Sequence, residues 1–412
     1  MDRNAGKSTA DDRAENMTDW TITQLTFGSE NGRFHSHSYY DIPVIDAAGT
    51  RVIGYRTGFT ERQPNPADSV EIGLVAFDEP GIWKPLGKST AWSWQQGPMA
   101  QFVPNENAVI WNDRGQDGFI GRRHDLGTDA ETILPRPIYA ISPNGQMGLS
   151  LDMGRLETLR PGYGYALENQ AGQLDRAPDD SGIWRMPLDG GDGRLILSLR
   201  AARDWLIPML PLRERFRHRV RRYAYWFNHA KIAPDGRRFT VKLRWRVPRG
   251  PWTNAQGISL TADMDGGNLR FLADATSHVI WQTSERAYFW RNEELALYED
   301  LAPRGSRLDR IGAGEISQNV HLRHLPPTAS PAPPAYVFDT PYRESVALKL
   351  LDPQNGTSRT IARFDNHRPA RGPFRCDLHP VPDHTGEKII VTSMQDGGRQ
   401  IYLLERISKA SS

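Results

Sequence analysis

A single cysteine, Cys376, in 412 residues excludes an intrachain disulfide, which fits a reducing compartment. Long apolar runs are missing as well. Met1 to Asp19 is polar and charged, with no apolar stretch for a signal peptide. No later segment reaches the ~18 consecutive apolar residues of a membrane helix. Nor is there an excess of one charge: 51 Lys and Arg against 49 Asp and Glu leave +2. No global field therefore recruits nucleic acid or a membrane surface. These absences predict a cytoplasmic chain with neither partner.

What the chain does have is turns and aromatics. Its 37 Gly, 30 Pro and 12 Trp, with 38% hydrophobic residues, suit many short strands and are too apolar for a disordered chain. Hairpins recur. The clearest is Asn228-His229-Ala-Lys-Ile-Ala-Pro234-Asp235-Gly236-Arg-Arg-Phe239, with others at Tyr139–Leu151 around Asn144-Gly145 and at His379–Val391 around Asp383 to Gly386. Each reads as a strand, a Pro/Gly turn and a second strand of alternating polarity.

Such units recur at about 37–92, 93–138, 139–205, 223–277, 278–318, 319–375 and 376–405, the fifth faintly. That spacing predicts an all-β, seven-bladed β-propeller, with six or eight blades the alternatives that the faint fifth unit leaves open. The alternating Trp20–Thr26 would join Lys388–Thr392 and Gln400–Glu405 in the last blade, closing the ring without an open edge. Residues 1–18 read as a disordered tail and 19–412 as one domain. Arg200–Arg222 breaks the strand pattern and reads as a short helix or an excursion between blades. Leu325–Pro334 is a Pro-rich connection that cannot sit in a central strand.

A propeller brings the starts of its inner strands to one central pocket, so residues at those starts are the site candidates. His35-Ser-His37 reads as extended, which would put both imidazoles on one face. Ser38-Tyr39-Tyr40-Asp41 follows with phenols and a carboxylate. Gly154-Arg155 to Arg160-Pro-Gly162-Tyr163-Gly-Tyr165 sets two arginines and two tyrosines among glycines; an Arg fork suits a carboxylate and a Tyr can move a proton. His229, His278, His321 and His379 each fall near the start of a blade. Two motifs are set aside as surface. Gly87-Lys88-Ser89 lacks the glycine a phosphate loop needs five residues earlier, where Ile82 stands, and Arg213–Arg222 is a short basic run outside any nucleic-acid module.

These motifs resemble the β-propeller polysaccharide lyases, above all the oligogalacturonate lyases and more distantly the ulvan and rhamnose–glucuronate lyases. The resemblance is best over about 225–405. It implies a cytoplasmic seven-bladed propeller that cleaves uronate glycans by β-elimination with a catalytic His, an Arg and a manganese site. Ser277-His278-Val-Ile-Trp281 is similar to the segment bearing the catalytic histidine, and His321 to the first metal-binding histidine. Arg375-Cys376-Asp377-Leu-His379-Pro-Val381 is similar to the stretch supplying a Gln and two His ligands. Of those three, only His379 is present, with Cys376 and Val381 at the other two positions. The family arginine falls where this chain reads Gln256-Gly257-Ile258. The departures imply a related enzyme with a rebuilt pocket.

The expectation is a lyase acting on a uronate-containing acidic oligosaccharide or polysaccharide. His278 or His37 would be base, Tyr165 or His229 acid, and Arg160 the carboxylate clamp. His35, Tyr40, Arg155, Tyr163 and Arg375 would contact substrate, and His321 and His379 would hold a divalent metal, Mn or Ca, if one is bound. A non-catalytic, TolB-like propeller binding glycan or protein is the alternative. A glycoside hydrolase would need a carboxylate pair about 5–10 Å apart, and the inner-strand motifs offer none.

Overall fold

The computed structural model describes residues 19–168, 174–303, 306–326 and 335–407. Residues 1–18 and most of the Pro-rich connection lie outside that set. Seven four-stranded antiparallel sheets form a seven-bladed β-propeller. Their first and last strands are Phe34–Ser36 and Lys84–Ser89 (blade 1), Gln101–Phe102 and Glu131–Leu134 (blade 2), Ala140–Ile141 and Arg194–Ser198 (blade 3), Ala224–Ile232 and Arg270–Asp274 (blade 4), Ser277–Trp281 and Arg307–Ile311 (blade 5), and Leu322–His324 and Thr357–Phe364 (blade 6). Blade 7 combines Val381–Pro382, Lys388–Ser393 and Gln400–Arg406 with Trp20–Gln24. Trp20 pairs with Arg406 and Gln24 with Tyr402, so both ends of the chain close the ring.

The hairpins form because their turns hold glycine where a left-handed backbone is required. Gly145, Gly236 and Gly386 have φ of 73°, 73° and 76°, a conformation that costs glycine nothing. Asp235 Oδ1 accepts the Arg237 N–H at 3.0 Å, and Asp383 Oδ1 the Lys388 N–H at 3.2 Å. The strands are apolar on both faces: Ile389, Ile390 and Val391 are all buried, as are Val52, Ile53 and Tyr55. Each blade is covered by its neighbours on both sides, as in a parallel sheet sandwiched by helices. The faint fifth unit is a complete blade whose centre is Ala287, Tyr288 and Phe289.

Three segments differ from the sequence expectation. Arg200–Arg222 holds two helices, α1 at Leu199–Leu206 and α2 at Leu212–Val220, α1 starting where Ser198 Oγ accepts the Ala201 N–H. Met153–Leu159 is also helical, capped by Asp152 accepting the Arg155 N–H at 2.9 Å, so the Gly154–Tyr165 motif opens on a helix. The extended segment around His35 ends at Ser36. His35 and His37 therefore do not share a strand face. Gly87, Lys88 and Ser89 lie in blade 1's outer strand, where a Cβ on Gly87 would lie 2.7 Å from the Trp111 ring of blade 2. In the basic run, Phe216 and Val220 are exposed.

Neutral buried histidines couple this fold to pH. Burial lowers His35 and His37 from 6.5 to about 4; hydrogen bonds, from Gln400 for His35 and from backbone for His37, only partly offset it. The unfolded chain binds more protons between those values. The stability is complete above pH 6.5 and is lost as pH falls toward 4, about 3 kcal/mol for His35 alone. We expect the urea midpoint to drop between pH 7 and 4.5 and the drop to shrink in His35→Gln. An equally steep decline in that variant would contradict the assignment.

Candidate active site on the propeller axis

The first strands of blades 4 and 5 carry bulges that aim histidines at the axis. Register slips between Asn228 and Lys231 and between Ser277 and Ile280 leave His229 and His278 at φ of 55° and 51°. His379 has φ 49°, two residues before blade 7's first strand, and Met99 has φ 55°, two before blade 2's. Left-handed backbone at non-glycine residues costs of the order of 1–3 kcal/mol each and clusters at functional sites. A bulge re-aims a side chain that regular pleating would send elsewhere.

The turned-in rings meet around a plug supplied by blade 1. Tyr39 and Tyr40 are fully buried. Tyr39 stacks on His229 at 5.5 Å between centroids and meets His379 edge-on at 4.7 Å. Tyr40 packs on His278 at 5.6 Å and His321 at 5.1 Å. His278 lies 4.4 Å from His321, which lies 4.5 Å from His379. Next to the plug, Lys231 Nζ pairs with Asp41 Oδ2 at 2.7 Å, both side chains nearly buried.

Ring protons follow from the partners. His278 Nδ1 lies 2.8 Å from the Val320 carbonyl and His37 Nδ1 2.7 Å from the Ser38 carbonyl. A carbonyl only accepts, so each neutral ring carries its proton on Nδ1 and a lone pair on Nε2. His321 Nδ1 likewise faces the Asp339 carboxylate at 2.9 Å. The Nε2 atoms of His321 and His379 are buried without a hydrogen-bond partner. With Asp377, they place three ligand atoms within 4.8 Å of one another. Arg375 Nη2 sits 2.8 Å from Asp377 Oδ2, off hydrogen-bonding alignment.

The wall beside His229 is cationic. Lys242 is pushed well below its ordinary value by burial and then by Arg244 and Arg160. Arg244 falls to about 10, from burial and Arg160. The Nε atoms of Arg160 and Arg244 are buried and unpartnered. Arg160 lies over the Tyr163 ring at 4.6 Å and the Trp252 ring at 4.0 Å. Burial pushes the Tyr163 phenol up, but Arg375 and Arg160 outweigh it, leaving its pKa below the ordinary tyrosine value. Two neighbouring arginines without a carboxylate partner, beside a lysine whose Nζ donates to the Thr276 carbonyl, suit an anionic ligand.

The axial group thus contains His37, His229, His278, His321, His379, Tyr40, Tyr163, Arg160 and Arg375 from the sequence candidates. His37 enters it through His379, to which it is electrostatically coupled. Three candidates are bound elsewhere. Tyr165 is fully buried, accepts the Asn112 Nδ2–H at 2.8 Å, and has its phenol pushed up by burial, beyond use near neutrality. Arg155 donates to the carbonyls of Tyr225, Asp175 and Arg176. His35 pairs with Gln400 at 2.9 Å and packs on Trp83. These three are structural, because their polar atoms are already used within the fold.

Sequence reasoning passed over Tyr39, Lys231, Asp377, Lys242 and Arg244 as site residues. Lys242 and Arg244 do carry a signal, since alternation places them on one face of Arg238–Arg246. Nothing in a single strand says which face meets the axis.

No family model matches the chain, and no curated protein matches it. Solved structures do. An oligogalacturonate lyase in complex with manganese aligns over 95% of this chain and 94% of that one, with a TM-score of 0.61 and 15% identity. The oligogalacturonate lyase of Vibrio parahaemolyticus aligns over the same shares, with a TM-score of 0.55 and 11% identity. TolB of Acinetobacter baumannii aligns over 87% of this chain and 64% of that one, with a TM-score of 0.34 and 12% identity. At these identities the likeness shows the propeller alone. No helix among the described residues is long and apolar enough to cross a membrane.

Removing Lys231 would leave Asp41 charged, buried and unpaired. Lys231→Met is expected to destabilise by about 3–5 kcal/mol, read as a shift in urea midpoint at pH 7. A loss below 1 kcal/mol would mean the pair does not hold the plug.

Proposed function

We propose that the protein is a polysaccharide lyase that cleaves a uronate-containing acidic glycan by β-elimination. The observation that carries this reading is one of convergence. A histidine with a lone pair on Nε2, His278, stands in the same axial group as two arginines, Arg160 and Arg244, whose buried Nε atoms have no partner.

The chemistry needs those residue types. The C5 proton of a uronate is weakly acidic, so its carboxylate must first be neutralised; Arg160 and Arg244 supply that charge. His278 Nε2 then removes the C5 proton. The electron pair forms the C4–C5 double bond as the C4–O bond breaks, and the leaving oxygen takes a proton from Tyr163. Tyr163, with its lowered pKa, replaces Tyr165 as the tyrosine suited to this step. No hydrolytic water enters.

His321, His379 and Asp377 fit a divalent cation, because their orphaned buried atoms converge and His321 is oriented by Asp339. Two imidazoles and a carboxylate suit manganese better than calcium, which prefers an all-oxygen shell. A cation there would withdraw charge from a bound carboxylate. Dialysed protein is expected to take up Mn²⁺ in a calorimetric titration, and His321→Ala to lose most of that heat. Equal uptake by both proteins would put the metal elsewhere.

The lyase reading is tested by absorbance at the unsaturated-uronate band across a panel of uronate polysaccharides and oligosaccharides. One substrate should give a rising signal, and His278→Ala should lower kcat by ~10²–10⁴-fold while retaining the glycan. Binding without any absorbance change across the panel would instead identify a glycan-binding propeller that uses the same cations.

A further inference from the structure

His229 Nδ1 meets a hydroxyl, where His37, His278 and His321 meet a carbonyl or carboxylate, and that hydroxyl is already committed. Tyr139 Oη receives the Gln96 Nε2–H and, at 3.2 Å, the backbone N–H of His229 itself. The left-handed φ of His229 is what brings its backbone N–H and its Nδ1 to one oxygen. A phenol oxygen has two lone pairs and one proton. Both lone pairs are filled, so the Tyr139 O–H is left to donate, and His229 Nδ1 lies 3.2 Å away. The reverse orientation of the Gln96 amide would orphan its NH₂ instead of its Oε1, which is the costlier choice inside a protein. As placed, it is Oε1 that has no partner.

We infer that Tyr139 locks His229 as the Nε2–H tautomer, opposite in polarity to His278, so that His229 is a neutral hydrogen-bond donor into the axial pocket and not a base. Nε2 has no partner among the described residues and the ring is half-buried, so its N–H is free for a ligand. Burial, followed by Lys231, Lys242, Arg244 and Arg160, lowers His229 well below its ordinary value. It therefore stays neutral while it donates, as a fixed dipole aimed at developing negative charge. On the lyase reading that charge arises on the uronate carboxylate as the C5 proton leaves. Two imidazoles with opposed tautomers divide the work: one accepts a proton, the other stabilises the charge this creates. Tyr139 acts through His229 and is a positioning residue.

The experiment is long-range ¹H–¹⁵N correlation on the full chain labelled with ¹⁵N-histidine, with His229→Asn to assign the ring. Wild type is expected to show His229 Nδ1 in the unprotonated range and Nε2 in the protonated range. Tyr139→Phe, checked for an unchanged thermal melt and unchanged signals from the other histidines, should lose that pattern. Where a glycan is turned over, Tyr139→Phe should lower kcat about 10–100-fold with KM changed by less. A wild-type His229 protonated on Nδ1 overturns the inference and needs no variant to fold. So does an unaltered tautomer in Tyr139→Phe. The predicted tautomer with no turnover of any uronate glycan would remove the lyase reading and leave the donor assignment standing.

Discussion

A ring of seven blades leaves a hole on its axis, and what fills that hole governs the chemistry around it. Here the filling comes from one excursion of blade 1. Tyr39 and Tyr40 occupy the axis with aromatic edges and faces turned to four histidines, and the Lys231–Asp41 pair ties that excursion to blade 4. The plug is buried, so polar groups against it must find partners or remain costly. The free Nε2 atoms of His37, His321 and His379 and the free Nε atoms of Arg160 and Arg244 stand out against that demand.

The second constraint is backbone conformation. Regular pleating sends alternate residues to a blade's two faces, and both faces are packed against neighbours. Interrupting a strand turns further side chains toward the axis. The bulges at His229 and His278 and the left-handed His379 are those interruptions. Met99 shares the conformation without a histidine, so the geometry belongs to the propeller and the imidazole to the chemistry built on it. Hydrogen bonding then gives each ring a direction. A carbonyl at Nδ1 makes Nε2 an acceptor, as in His278, while the committed hydroxyl of Tyr139 makes Nε2 of His229 a donor.

Charge completes the site. Lys242 and Arg244 come from the second strand of blade 4 and Arg160 from the turn after the Met153–Leu159 helix. That turn closes because Gly164 passes where a Cβ would lie 2.1 Å from the Met153 carbonyl, and because Glu157 accepts the N–H groups of Gly162 and Gly164. The same packing buries Glu157 enough to raise its carboxyl to about 7 despite those bonds. The wall facing His229 is thereby left with cations only lightly opposed by acids.

Local chemistry made much of this legible in the chain itself. Turn glycines, alternating strands and their spacing determined a seven-bladed propeller, and blade-start position marked His229, His278, His321 and His379. These are properties of short segments, set by backbone sterics and by which residues tolerate φ > 0. Tertiary structure alone decided which polar atoms remain unused. Tyr163 and Tyr165 are two residues apart, yet one meets Arg375 and Arg160 while the other is consumed by Asn112. His35 and His37 part because the strand stops between them. Whether Lys242 and Arg244 face the axis, and which nitrogen of His229 and His278 carries its proton, depends on partners tens of residues away, and sequence spacing holds no record of those.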